Sequence, residues 1–115
     1  MFHLPEVLDC VAAAIPDREA IVCRGKRWTF ADFQKRSNRL ANALLALGLG
    51  CHQERAQLEN WQSGQDRLAI YLYNGNEYLE SMFGAFKARL APFNVNYRYV
   101  EEELVYLLKG RADQL

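Results

Sequence analysis

Residues 67–76 read RLAIYLYNGN, and this stretch decides the fold class. Every position after Arg67 through Tyr73 is apolar, a pattern typical of a strand that is covered on both faces and therefore of a parallel sheet. Asn74-Gly75-Asn76 follows as a turn, and Asn76 is predicted to cap a helix. The apolar residues of that helix recur at helical spacing: Leu79, Met82, Phe83 and Phe86. The unit is strand, turn, helix.

The remainder of the second half extends this unit. Gly84 lies inside the helix and indicates a close approach to the sheet beneath it. Residues 90–95 predict a short strand that begins near Pro92. A last helix follows, with acidic residues in its first turns and an end at Lys109 before Gly110.

The first half predicts a helix over residues 4–15 and then a β-hairpin with Gly25-Lys26 as its turn. Thr29 is the predicted N-cap of a long helix that ends at Gly48. The apolar stripe of this helix is Phe33, Leu40, Leu44 and Leu47. The predicted fold is α/β: an N-terminal β-hairpin and long helix followed by βαβα with parallel strands, with residues 51–65 as an insertion-like loop.

Length and charge exclude several classes of protein. The 115 residues suit a single domain, and 14 basic against 14 acidic residues leave no net field to attract nucleic acid. No apolar run approaches the roughly 20 residues that a membrane span needs. Three widely spaced cysteines and no signal peptide favour the cytoplasm, with Cys10 and Cys23 as small buried hydrophobes.

Short segments in both halves carry a family resemblance. In the first half they are Pro16-Asp17, Ala20-Ile21, Trp28-Thr29-Phe30, Asn38-Arg39-Leu40-Ala41 and Leu47-Gly48-Leu49-Gly50. In the second half they are Asp66-Arg67-Leu68-Ala69-Ile70, Asn74, Glu77, Gly84-Ala85, Lys87-Ala88, Pro92 and Glu103-Leu104. In this order and approximate spacing, they resemble the N-terminal portion of AMP-forming acyl-CoA synthetases over residues 16–108.

The resemblance implies part of a larger domain of an adenylate-forming ligase. Such a ligase activates a carboxylic acid, often a fatty acid, with ATP and Mg and then transfers the acyl group to coenzyme A. The family's phosphate-binding loop is rich in Thr, Ser and Gly, whereas Thr29 is the only threonine here and the three serines are isolated. We therefore predict no catalytic, cofactor-binding or metal-binding residue in this chain.

Two features depart from the family pattern. The family passes briefly from the Gly-containing helix end to the next strand, whereas this chain inserts residues 51–65. Arg89 stands where the family typically has Gly after Lys-Ala. A non-glycine residue held in the left-handed region costs about 1 kcal/mol, so the local turn is expected to be strained or different.

Two clusters have chemical alternatives. Cys51-His52 is an adjacent thiol and imidazole, but a nucleophile and its base need side chains aimed at each other, so a solvated loop is the preferred interpretation. Glu101-Glu102-Glu103 begins a helix, where consecutive side chains diverge, and is interpreted as a capping and solvated face.

Two segments follow predicted strand ends, where doubly wound sheets place ligands. Asn74-Gly75-Asn76 is either a pocket rim or an ordinary turn. In residues 94–99, Arg98 lies between two tyrosines and is either a nucleotide contact or a surface arginine with aromatic neighbours. Tyr71 and Tyr73 are expected in the core.

Three functions remain open from the sequence. The first is an N-terminal fragment of an acyl-CoA synthetase, not catalytic alone. The second is a small α/β interaction module that docks on a full-length synthetase or on a missing second fragment, or associates with itself. The third and weakest is a small thiol enzyme using Cys51 and His52.

Overall fold

The computed structural model describes residues 3–112, and the side chains of residues 3–109. The helices are α1 (Leu4–Ala14), α2 (Phe30–Ala46), α3 (Asn76–Lys87) and α4 (Glu101–Ala112), with one 3-10 turn at Arg55–Gln57. The strands are β1 (Glu19–Cys23), β2 (Lys26–Thr29), β3 (Arg67–Ile70) and β4 (Ala91–Asn94). This order confirms the predicted α/β arrangement of a hairpin and long helix followed by βαβα.

The hairpin pairs β1 with β2 in antiparallel register, with Cys23 opposite Lys26. Its turn therefore consists of Arg24 and Gly25, whose φ angles are 52° and 78°. The predicted turn at Gly25-Lys26 was wrong by one residue. The tight hairpin turn that suits strand twist needs positive φ at both central positions, and here Arg24 takes the first one.

Helix α2 begins as its capping pattern predicts. The Asp32 amide donates to the Thr29 hydroxyl oxygen at 3.1 Å, and the Thr29 amide donates to the Asp32 carboxylate at 3.3 Å. The helix stops where Gly48 takes a φ of 81°, so both predicted ends are confirmed. Leu47 is 75% exposed, which contradicts its predicted core position, because it is the C-cap residue beyond the last packed turn.

Strands β3 and β4 pair in parallel, from Arg67 opposite Ala91 to Ile70 opposite Asn94, as predicted. The prediction that β3 is covered on both faces was wrong. Ile70 is buried, but its neighbour Ala69, which lies on the opposite face of the strand, is exposed. Within the described chain, α3 packs on this two-stranded sheet and the opposite face has no such layer. The strand also ends at Ile70, so the tyrosines that follow it leave the sheet.

Helix α3 packs closely against α2. A Cβ atom built on Gly84 would lie 2.7 Å from Leu40 Cδ2 and 2.9 Å from Leu40 Cγ. Gly84 therefore permits a close helix–helix approach, and the predicted approach to the sheet was wrong. Asn76 was also wrongly predicted as the N-cap, since Gly75 is the N-cap and Asn76 is buried in the first turn.

Two apolar clusters form the core. The α2–α3 cluster consists of Ala41, Leu44, Ala85, Ala88 and Leu90, and the hairpin cluster consists of Leu8, Ile21 and Phe33. Ion pairs tie the same helices together: Arg36 Nε lies 2.5 Å from Glu80 Oε1, and Lys87 Nζ lies 2.7 Å from Asp9 Oδ1. The α1, α2 and α3 helices are thus joined by both apolar and charged contacts.

Two further predictions were wrong. Cys10 is exposed, because α1 buries Leu8 and Ala12 on one face and Cys10, two residues from each, lies on another. Helix α4 continues through Gly110 to Ala112, so Gly110 does not end it. Among residues 3–112, no helix is both long and apolar enough to cross a membrane.

Candidate functional site

The carboxyl edge of the β3–β4 pair is the candidate site. Because the two strands are parallel, Asn74-Gly75-Asn76 and residues 95–100 leave the sheet at the same edge. The Tyr71 hydroxyl donates to the Tyr99 carbonyl at 2.6 Å, and the rings of Tyr73 and Tyr97 lie 4.7 Å apart. The tyrosines that precede Asn74-Gly75-Asn76 therefore contact the segment of residues 94–99.

Tyr71 and Tyr73 face outward at this edge. They are 45% and 68% exposed, so the prediction that they belong to the core was wrong. The chain leaves β3 after Ile70, so both residues lie beyond the paired strand. Their rings form an accessible aromatic surface.

Arg98 is held against this surface. The Asn96 side-chain oxygen accepts from the Arg98 amide at 3.0 Å and from Arg98 Nε at 3.3 Å. The guanidinium carbon lies 5.9 Å from the centre of the Tyr97 ring, within range of a cation–π contact. The edge thus combines aromatic stacking surface with one positioned cation, which suits binding rather than bond-making chemistry.

A groove extends the edge onto α4. It has a volume of about 360 Å³ and is lined by Tyr99, Glu102, Glu103, Tyr106 and Leu107. The side chains of Glu101, Glu102 and Glu103 are exposed in the first turn of α4, where their negative charge interacts favourably with the positive end of the helix dipole. This is the placement that the capping interpretation predicts.

Cys51 and His52 lie elsewhere, in the loop that precedes β3. His52 Nε2 is 2.5 Å from Asp66 Oδ2, while the Cys51 thiol donates to the Gln53 carbonyl oxygen at 3.2 Å. Their side chains therefore take separate partners instead of forming a nucleophile–base pair. Within residues 3–112, no three His, Cys, Asp or Glu side chains are grouped so that they could hold a metal ion.

Asp66 is a residue of this loop that the sequence did not reveal, since no local spacing links it to His52. Its carboxylate also accepts from the Gly50 amide at 3.0 Å. That backbone hydrogen bond, followed by the His52 contact, lowers the pKa of Asp66. Asp66 therefore joins both ends of the loop.

Arg89 fastens the same loop to the α3–β4 turn. Its two terminal nitrogens each lie 2.9 Å from a Glu54 carboxylate oxygen, a bidentate pair that lowers the pKa of Glu54. Gln65 Nε2 donates to the Arg89 carbonyl at 2.8 Å. Arg89 has a φ of 66°, so the predicted left-handed strain is present, and its side chain anchors the loop of residues 51–65 through Glu54.

A second cleft, of about 660 Å³, lies between the start of α1 and the end of α3. Pro5 and Phe86 contribute apolar surface, and Lys87 and Arg89 contribute charge. Lys87 contacts Asp9 and also donates to the Asn38 oxygen at 2.6 Å, while Arg89 is paired with Glu54. Both cations are already neutralised by the chain itself, so the cleft is a weaker candidate than the β3–β4 edge.

Comparison with known proteins identifies the family of this chain. The family described as AMP-binding enzyme matches residues 8–112. The chain belongs to this family. It is 56% identical over 107 residues to the medium-chain acyl-CoA ligase Mig of Mycobacterium avium, covering 93% of this chain and 20% of that protein.

Two further relatives agree. The chain is 36% identical over 105 residues to a medium/long-chain-fatty-acid–CoA and 3-oxocholest-4-en-26-oate–CoA ligase of Mycobacterium marinum, covering 91% of this chain and 17% of that protein. Its fold superposes on the inhibitor-bound N-terminal domain of FACL13 from Mycobacterium tuberculosis with a TM-score of 0.76 and 25% identity. That match covers 94% of this chain and 24% of the solved one.

The chain thus spans about a fifth of the length of its acyl-CoA ligase relatives. The predicted resemblance to part of an AMP-forming acyl-CoA synthetase is confirmed by these matches. The AMP-binding family implies ATP, Mg and coenzyme A as ligands of its full-length ligases.

Proposed function

We propose that this chain forms a scaffold segment of a ligase that joins a medium-chain fatty acid to coenzyme A. In such a ligase, the carboxylate displaces pyrophosphate from ATP to give an acyl-adenylate, and the thiol of coenzyme A then displaces AMP. The observation that carries the proposal is the 56% identity to a medium-chain acyl-CoA ligase over 107 residues.

We propose further that the chain itself supplies no catalytic, cofactor-binding or metal-binding residue. The support is chemical: Thr29 is the only threonine and it caps α2, and the three serines are far apart in sequence, so the chain has no hydroxyl-rich loop of the kind that binds phosphate. The Cys51 thiol and the His52 imidazole take separate partners. ATP, Mg, coenzyme A and the fatty acid would then be held by the remainder of the ligase.

The organisation that fits this role is a single partial domain over residues 1–115, with residues 51–65 as an inserted loop. The bidentate Glu54–Arg89 pair supports a loop that is held in place rather than free. A cytoplasmic location is part of the same proposal, because ATP and coenzyme A are the ligands that the family's ligases use.

The experiment uses a chimera and the isolated chain. In the chimera, this chain replaces the matching segment of the Mycobacterium avium ligase, and both proteins are assayed by ATP–pyrophosphate exchange with fatty acids of graded length. We expect exchange from the chimera, strongest with medium-chain acids, and none from the isolated chain. Exchange by the isolated chain would refute the scaffold role, and an inactive but folded chimera would refute the ligase role.

The second candidate function is an interaction module that docks as a separate chain on a full-length synthetase. It is favoured by exposed apolar side chains such as Tyr73 and Tyr106, which are 68% and 83% exposed. Mixing the isolated chain with the intact Mycobacterium avium ligase and measuring mass by light scattering separates the two ideas. A stable complex supports the module, and a monomeric chain that leaves the ligase unchanged contradicts it.

A further inference from the structure

Exposed large apolar side chains accumulate in the two segments that follow β3 and β4. Those at least 39% exposed in these segments are Tyr71, Leu72, Tyr73, Tyr97, Val100, Val105, Tyr106 and Leu108. Elsewhere the exposed apolar residues are scattered over α1, the hairpin, the end of α2, the loop that precedes β3 and, at Leu79, α3. Single exposed apolar residues are ordinary, whereas a contiguous set marks a contact surface. We call the surface formed by Tyr71, Tyr73, Tyr97, Val100 and Tyr106 the aromatic face.

Direct contacts make this face continuous. The rings of Tyr73 and Tyr97 are 4.7 Å apart, and the Tyr71 hydroxyl reaches the Tyr99 carbonyl. Tyr99 and Tyr106 then line the same groove, which leads onto α4. The face therefore runs from the end of β3 across the β4–α4 connection to the helix.

Helix α4 has no partner among the described elements, since no helix or strand within residues 3–112 packs against it. Its middle reads Leu104-Val105-Tyr106-Leu107-Leu108, which places apolar side chains on several sides of the helix. A 12-residue helix is marginal in water by itself, and one that is apolar on several sides is normally buried. The helix thus needs a cover that the described chain does not provide.

The charges beside the groove set a second requirement for a partner surface that would cover it. Glu102 and Glu103 line the groove beside Tyr106, and Glu101 precedes them. A partner surface that fits would be apolar at its centre, with lysine or arginine side chains facing these carboxylates. Arg98 lies against Tyr97 and adds a positive charge to the aromatic face.

We infer that the aromatic face is the docking surface for the part of an acyl-CoA ligase that lies outside the segment matched by this chain. The relative lengths point to that occupant, since this fold occupies 20% of the Mycobacterium avium ligase and 24% of the FACL13 domain. The inference rests on the proposed function. It holds whether that remainder is continuous with this chain or a separate polypeptide.

Hydrogen exchange tests the docking. Amides of residues 101–109 are expected to exchange at least about tenfold more slowly in the chimera than in the isolated chain, because docking raises the local opening free energy. Tyr106→Ser in the chimera is expected to speed that exchange. Trp61→Ser is the matched control, since Trp61 is 79% exposed and lies off the aromatic face. Equal exchange in chimera and isolated chain would overturn the inference.

A dye measurement covers the case in which the Tyr106→Ser chimera does not fold. The isolated chain is expected to bind the apolar dye ANS, with less binding in Tyr73→Ser and Tyr106→Ser and unchanged binding in Trp61→Ser. An equal loss in all three variants would contradict a localised face.

The two proposals fail separately. A chimera that is active but leaves residues 101–109 unprotected overturns the docking surface and leaves the function. A chimera in which residues 101–109 are protected from hydrogen exchange but which has no ATP–pyrophosphate exchange activity overturns the proposed function and leaves the docking surface. Loss of both results overturns both proposals.

Discussion

Replacing Gly84 with alanine tests the α2–α3 contact. By helix propensity alone, Gly84→Ala should stabilise the protein by about 1 kcal/mol, because alanine restricts the unfolded chain and suits a helix interior. The structure predicts the opposite sign. The new methyl group would lie 2.7, 2.9 and 3.0 Å from Cδ2, Cγ and Cβ of Leu40, all shorter than ordinary van der Waals contact.

The size of the effect follows from those three distances. Leu40 Cδ2 can move by rotation of the side chain, but Cβ is fixed to the α2 backbone, so the helices must separate. Overpacking of this kind costs about 2 kcal/mol, which exceeds the propensity gain and leaves a net loss of about 1 kcal/mol. For a domain of this size, that corresponds to a fall in Tm of about 4 °C.

Thermal unfolding followed by circular dichroism measures this shift, and a double-mutant cycle with Leu40→Ala identifies its origin. Leu40→Ala removes Cδ2 and Cγ, the two closest atoms, but keeps Cβ at 3.0 Å, so the loss caused by Gly84→Ala should become smaller in the Leu40→Ala background. A rise in Tm of about 4 °C for Gly84→Ala in the parent chain would show that propensity dominates and would refute the close-approach argument.

Arg36→Met should destabilise the protein by about 3 kcal/mol, because it leaves the Glu80 carboxylate, 10% exposed, without its cation. Arg36→Met with Glu80→Gln should recover most of this loss in urea unfolding, because glutamine is uncharged and keeps an oxygen that can accept from the Asn76 amide. A double variant as unstable as the single one would contradict this. Thr29→Ala should cost about 1 kcal/mol through loss of the helix cap, and Thr29→Ser should retain it, as measured by the urea midpoint. The Lys87 contact lowers the pKa of Asp9, so its stabilisation is present above about pH 4 and is lost as pH falls through the lowered pKa. Asp9→Asn should flatten the acid limb of a stability–pH curve, and an unchanged limb would count against this pair.

Elements with strong local signals were predictable. The capping box of Thr29 and Asp32 and the left-handed stop at Gly48 are local, because each depends on hydrogen bonds or backbone angles within a few residues. The strand–turn–helix order around Asn74-Gly75-Asn76 is equally local, and a helical crossover is the usual connection between two parallel strands. These features follow from the chain regardless of what packs on it.

Several of the errors have a different cause. Tyr71 and Tyr73 lie in an apolar run typical of a core strand, yet both are exposed, because whether an apolar residue is covered depends on what packs over it in the tertiary structure. Gly84 signals a close approach in any fold, but its partner, Leu40, is 44 residues away and could not be identified from spacing. Cys10 shows that an apolar helix face can be wider than the neighbour that covers it.

The candidate site divides in the same way. The sequence by itself determined the family, the order of helices and strands, and the two polar–aromatic segments that follow strand ends, because all of these reside in local pattern and motif order. Only the tertiary structure decided that Tyr73, beside the first segment, meets Tyr97 of the second, that His52 contacts Asp66 while Cys51 contacts Gln53, and that Arg89 holds Glu54. Contacts between residues distant in sequence depend on how the helices and strands pack, which local pattern does not specify.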